Sequence, residues 1–91
     1  MNADEKTVER AKQFKPRQMV KMVKDQPDFN RACASYPEVG FKGMVVAGDG
    51  FTKYTPPPGK VAVRFSAKLM GYHDYASNPF VVLYVWSWAI E

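Results

Sequence analysis

Two side chains suit acid–base or nucleophilic chemistry near neutral pH, His73 and Cys33, and each type occurs once. Catalysis by such groups needs a base beside a nucleophile, or a third group that orients the base. His73 is followed by Asp74 in a polar stretch far along the chain from Cys33. Cys33 follows Phe29 and Ala32 and precedes Tyr36 at spacings of i, i+3, i+4 and i+7, the stripe of a helix that buries one side. That setting predicts a buried, inert thiol. One histidine, one cysteine and nine scattered carboxylates lack the spacing of a zinc site. Gly48-Asp49-Gly50 lacks the lysine and the serine or threonine of a phosphate loop, and it leads toward a strand pattern instead of a helix. The sequence therefore reads as non-catalytic, with no cofactor and no metal.

Binding chemistry is better represented. Arg17, Lys21 and Lys24 recur at i, i+4 and i+7, a basic stripe suited to phosphates or an acidic protein surface if the segment is helical, and otherwise the wet face of an amphipathic helix. Arg64 and Lys68 occupy the polar side of an amphipathic strand pattern. Beside an aromatic stripe they could take nucleic acid through phosphate contacts and base stacking. Trp86 and Trp88 lie two apart in the longest apolar stretch, Phe80 to Ile90. Tyr72, His73 and Tyr75 fall in a polar stretch from Gly71 to Pro79, long enough to be a binding loop and rich in a residue favoured at interfaces.

The elements that position these groups follow from composition and pattern. A chain of 91 residues makes about one domain, and 46% hydrophobic residues with 14% aromatics are too many for a disordered chain. The net charge of +4 permits an acidic partner without requiring one. The opening Met1-Asn2-Ala3-Asp4-Glu5 is unlike an export signal, and the apolar run of 11 residues falls short of the roughly 20 that span a membrane. With its lone cysteine the protein reads as cytoplasmic, with no membrane partner.

Composition divides the chain near Val39. Residues 1–38 hold 8 basic, 6 acidic and 3 aromatic side chains, whereas residues 39–91 hold 5, 3 and 10. In the first part Val8, Ala11 and Phe14 recur at threes and predict a helix from about Ala3 to Lys15. Pro16 and Pro27 can each open a further helix, one carrying Met19, Val20, Met22 and Val23, the other the Phe29–Tyr36 stripe. In the second part a hairpin is expected over Gly40 to Thr55 around Gly48-Asp49-Gly50, then strands over Lys60–Met70 and Phe80–Glu91. The expected fold is α+β: two to three short N-terminal helices packed on one face of a four-stranded, mostly antiparallel sheet, in a single domain of residues 1–91.

Both sides of the last strand pattern are apolar. Phe80, Val82, Tyr84, Trp86, Trp88 and Ile90 lie on one side, and Val81, Leu83, Val85, Ser87 and Ala89 on the other. Either the sheet curls round the tryptophans and makes them core, or the loops, a second copy or a partner cover them. Val45-Val46-Ala47-Gly48 resembles the hairpin turn by which cystatins insert into papain-like proteases. Met44 stands where that family has glutamine, and the second contact loop has no counterpart, so protease inhibition is not carried over. The functional expectation is a small interaction protein that docks on a larger protein or ribonucleoprotein, or on a second copy of itself. Inhibitors and accessory factors of phage or mobile-element origin share this lack of motifs. Tyr72, His73, Tyr75, Trp86 and Trp88 are its expected contact residues. A nucleic-acid- or nucleotide-binding module using Arg17, Lys21, Lys24, Arg64 and Lys68 is the alternative.

Overall fold

The computed structural model describes residues 4–27, 37–47, 54–71 and 76–91. Helix α1 (Glu5–Gln13) begins where Asp4 accepts the Thr7 backbone N–H on Oδ1 at 2.8 Å. This side-chain cap satisfies one of the donors that a helix start leaves open. Its Ala11 and the following Phe14 are buried, as the threefold spacing predicts.

The second expected helix does not form. Lys15-Pro16-Arg17-Gln18 makes a tight turn instead, closed by Gln18 N–H donating to the Lys15 carbonyl at 3.1 Å, with Arg17 at φ 75°. Pro16 takes the second position of this turn, which its fixed φ suits as well as it suits a helix start, and the positive φ at Arg17 ends any helical path. Beyond it Met19–Lys21 is strand β1, with Val20 buried between exposed Met19 and Lys21. Residues that look like a helical stripe by type alternate by burial, the period of a strand. The third expected helix, around Phe29 to Tyr36, lies mostly outside the described residues. Among the described residues, the expectation of two to three helices is corrected to one helix and a separate 3-10 turn on a four-stranded antiparallel sheet.

Strands β2 (Lys42–Ala47), β3 (Lys60–Ser66) and β4 (Phe80–Trp86) complete a meander in the order β1-β2-β3-β4, antiparallel throughout. The four strands are not the four that sequence pattern suggests. Of the expected hairpin arm Phe51 to Thr55, only Tyr54 and Thr55 are described, and they lie outside the sheet, while β1 takes a place in it. The turn residues Gly48-Asp49-Gly50 lie outside the described residues. Entry into β3 is made by Pro57-Pro58-Gly59-Lys60, where Gly59 adopts φ 87° and Lys60 N–H donates to the Pro57 carbonyl at 3.0 Å. Proline followed by a residue of positive φ is the requirement of a type II turn, and glycine meets it without strain.

Strand β3 stops at Ser66, short of the expected Met70. Its carbonyl accepts from Met70 N–H and its hydroxyl from Leu69 N–H, at 3.1 and 3.4 Å, which folds the chain into a turn. Strand β4 ends at Trp86 instead of Glu91, because Ser87–Ala89 winds into the 3-10 turn. Ser87 N–H still continues the β3–β4 register by donating to the Gly59 carbonyl at 2.9 Å, while its hydroxyl is held by the Thr7 carbonyl of α1 at 2.8 Å. Arg10 then fastens α1 over this turn, with Nε on the Ser87 carbonyl and Nη2 on the Ile90 carbonyl, both at 2.8 Å. Past the turn, Lys21 and Glu91 exchange backbone hydrogen bonds of 3.1 and 3.0 Å, and Met22 bridges Ile90. The end of the chain thus lies along the side of β1 away from β2, and the sheet curls.

The curl defines an inner and an outer face. The core takes Val20, Val45, Val61, Val63, Phe65 and Val85 from the inner face, joined by Ala11, Phe14, Met22, Met70, Ala89 and Ile90. Gly43 belongs to the same face, and a Cβ there would stand 2.6 Å from Val63 Cγ1, 2.8 Å from the Arg64 carbonyl oxygen and 3.0 Å from Phe65 Cδ1. The missing side chain is what lets Phe65 pack across β2.

Candidate functional site: the outer face of the sheet

Strand register fixes which side chains share the outer face. Met19 pairs with Met44 and Lys21 with Lys42 across β1 and β2, Met44 with Arg64 across β2 and β3, and Arg64 with Val82, Ala62 with Tyr84 and Lys60 with Trp86 across β3 and β4. The face therefore carries four cations, Lys21, Lys42, Lys60 and Arg64, among Met19, Met44, Phe80, Val82 and Tyr84. None of the paired outward positions holds a carboxylate. Glu91 stands at the margin, where it lines a shallow groove with Met19, Lys21 and Lys42. Met19 is 65% exposed and Phe80 55%, unusually open for large apolar side chains.

Two of the cations are held by aromatic rings. The Arg64 guanidinium lies 4.1 Å from the centroid of Phe80, and the Lys60 ammonium 4.7 Å from that of Trp86. Such contacts draw on the negative face of the ring and fix a long side chain in place. Lys21 and Lys42 are direct cross-strand partners, and like charges in that relation repel.

Trp86 and Trp88, expected on one strand face, are divided by the end of β4. Trp86 is buried at the strand end, and half-buried Trp88 lies in the 3-10 turn, their rings stacked at 6.5 Å with 12° between planes. Trp86 N–H donates to buried Gln26 Oε1 at 2.6 Å. Trp86 is thus part of the core, and the face beyond it is made by Phe80, Val82 and Tyr84.

The remaining sequence candidates separate. Arg17, Lys21 and Lys24 form no helical stripe, since Arg17 sits in the turn, Lys21 in β1 and Lys24 beyond it, all three exposed. Arg64 lies on β3 beside aromatic side chains of β4, the juxtaposition expected for it, whereas Lys68 lies in the exposed turn after β3. Tyr72, His73 and Tyr75 lie outside the described residues, as does Cys33. Lys42 and Phe80 escape a search by motif. The alternation of Lys42 and Met44 with buried Gly43 and Val45 is the signal that finds the first, and the parity of β4 with Tyr84 finds the second.

Among the described residues, no group of three His, Cys, Asp or Glu side chains could hold a metal, and no helix is long and apolar enough to cross a membrane. A surface depression beside Glu5, Glu9, Arg10 and Gln13 is lined by α1 alone and mixes both signs of charge. What the outer face offers is four cations, two of them held against rings, beside exposed apolar area. No protein-family model, curated protein or solved structure matches the chain.

Proposed function

We propose that this protein is a non-catalytic interaction domain that docks on a larger protein or ribonucleoprotein through the outer face of its sheet. The observation that supports this reading is the company the four outer cations keep. They stand on paired strands free of carboxylates, beside Phe80 and Met19, which are more than half exposed. An ordinary solvated strand face mixes both signs of charge and leaves little contiguous apolar area. The Arg10 bonds to the Ser87 and Ile90 carbonyls and the two ring-held cations place part of this surface before any partner arrives, which lowers the ordering cost of binding.

The test is face-specific retention. A partner captured from the native host by the wild-type chain is expected to be lost by the double variant Lys42→Glu with Phe80→Ser. It should be kept by Lys12→Glu, a charge reversal of the same sign on exposed α1. Equal retention by both variants would overturn the reading. So would a stable dimer in light scattering that buries Phe80, because the face would then be occupied by a second copy.

A further inference from the structure

We infer that the group received by the outer face is single-stranded nucleic acid, with phosphates on the four cations and unstacked bases on exposed Phe80 and half-buried Tyr84. This rests on the docking reading above and names the chemistry of its partner. Charge complementarity comes first. Lys21 and Lys42 face each other as cross-strand partners, and Arg64 and Lys60 follow on β3. Glu91, opposite Lys21 at the margin, is one carboxylate beside four cations, so the face keeps a net positive charge that a polyanion would meet. The cations are also spread out. Lys60 and Arg64 are four residues apart on one strand, about 13 Å at strand rise, and β1 to β4 spans about 14 Å across the sheet. A single phosphate or carboxylate would meet one of them, whereas an extended charged chain meets several.

The rings decide between kinds of polyanion. Phe80 is 55% exposed with Arg64 stacked on it, and half-buried Tyr84 is four residues along on the same face, about 13 Å away at strand rise with Val82 between them. An acidic polypeptide would use the cations and leave these rings in water. A duplex keeps its bases stacked on one another and would do the same. Unpaired bases present flat faces that stack on aromatic rings and on guanidinium planes, while their phosphates reach the neighbouring cations.

The experiment is a fluorescence-anisotropy titration of the full chain with a fluorescein-labelled oligouridylate of about 12 nucleotides, run across a salt series. Three to four phosphate contacts predict a log–log salt slope of about −2 to −3. Phe80→Ala is expected to weaken binding by about tenfold, with Phe80→Tyr restoring most of it. The exposed double variant Lys21→Gln with Lys42→Gln should make the slope shallower by about 1.4, since each lost contact removes about 0.7. That readout stands even if Phe80→Ala fails to fold. A duplex of the same length and a polyglutamate are the comparison ligands. Polyglutamate binding as tightly as the oligouridylate, with Phe80→Ala indifferent, would overturn the nucleic-acid inference and leave the docking reading intact. Duplex binding as tightly as the single strand would overturn the assignment to unpaired bases. If no oligonucleotide binds while the Lys42→Glu, Phe80→Ser variant still loses its captured partner, the inference fails and the partner is a protein. If that variant also keeps its partner, both readings fail.

Discussion

The same strands present two faces made on different rules. On the inner face, Val45, Val61, Val63, Phe65 and Val85 are at most 1% exposed, and even a glycine is placed by what its neighbours need. On the outer face, Lys42, Met44, Arg64, Phe80 and Tyr84 are exposed or half-buried, and β1 sets one lysine against another. Close packing makes the inner face intolerant of small changes in volume. The outer face gives up some stability in its like-charge pair.

The inner face should break most sharply at Gly43. The Arg64 carbonyl, 2.8 Å from a Cβ placed there, is backbone and cannot turn aside, so Gly43→Ala must displace β3 or Phe65. A loss of about 3 kcal/mol is expected, the upper range for overpacking a core. For a domain of this size that lowers the thermal midpoint by about 12 °C or more. Adding Phe65→Leu to Gly43→Ala should recover part of the loss, because the two sites share one space. A Gly43→Ala cost below about 1 kcal/mol in urea unfolding would mean that the inner face is looser than its burial implies.

Next in size is the clamp that closes the inner face at one end. Arg10 makes two bonds of 2.8 Å from one guanidinium to the Ser87 and Ile90 carbonyls, and stacks 5.4 Å from the centroid of Phe14. Arg10→Ala is expected to cost about 2 kcal/mol, in the range of charge-assisted bonds that are partly buried. Arg10→Lys should recover less than half of that, because a point charge cannot reach both carbonyls at once. An Arg10→Lys variant as stable as the wild type would show that the forked geometry contributes nothing.

These two regions were unequally legible in the sequence. The inner face of β3 stands out by alternation alone, since Val61, Val63 and Phe65 repeat at twos, and the stripe of Val8, Ala11 and Phe14 marks α1. The segment after Pro16 misleads because Met19, Val20, Met22 and Val23 satisfy helix spacing by residue type. What decides it is a left-handed Arg17 and a partner strand distant in sequence, neither of which a local pattern encodes. The end of β4 is hidden for a similar reason. At Ser87 the chain turns where Thr7 and Arg10 of α1, remote in sequence, bond its hydroxyl and its carbonyl. On the candidate site, Arg64 beside the β4 aromatics follows from strand parity, while Lys42 opposite Lys21 depends on β1 being a strand at all.

On the outer face a substitution should move stability and binding in opposite directions. Lys42→Glu replaces a like-charge cross-strand pair by an opposite-charge one with Lys21, and is expected to stabilise the fold by a few tenths of a kcal/mol. The same change places a carboxylate among the outer cations, and should weaken oligonucleotide binding severalfold. Denaturant midpoints and anisotropy on one preparation read both. A variant both less stable and less able to bind would mean that Lys42 supports the fold, and the contrast between the faces would fail at that position.

The smallest effect lies at the exposed start of α1, where a charge acts with neither burial nor a partner strand. The Asp4 carboxyl is held below its ordinary value of 3.8, first by the Thr7 backbone N–H that donates to it, then by the Thr7 side chain and the nearby Lys6. A folded-state value below the unfolded one means that the unfolded chain binds the proton more readily. The contribution of the cap is therefore complete above the unfolded value and is lost as pH falls through the folded one. Asp4→Asn keeps a side-chain oxygen for the cap but has no charge to titrate. The wild type should thus melt slightly above Asp4→Asn at neutral pH, and the two midpoints should converge as pH drops below about 3.8 toward 2. A gap that persists unchanged to pH 2 would show that the difference arises from the geometry of the cap and owes nothing to its charge. The small size of the effect would still set this solvent-facing contact against Gly43, where a single added carbon has no room.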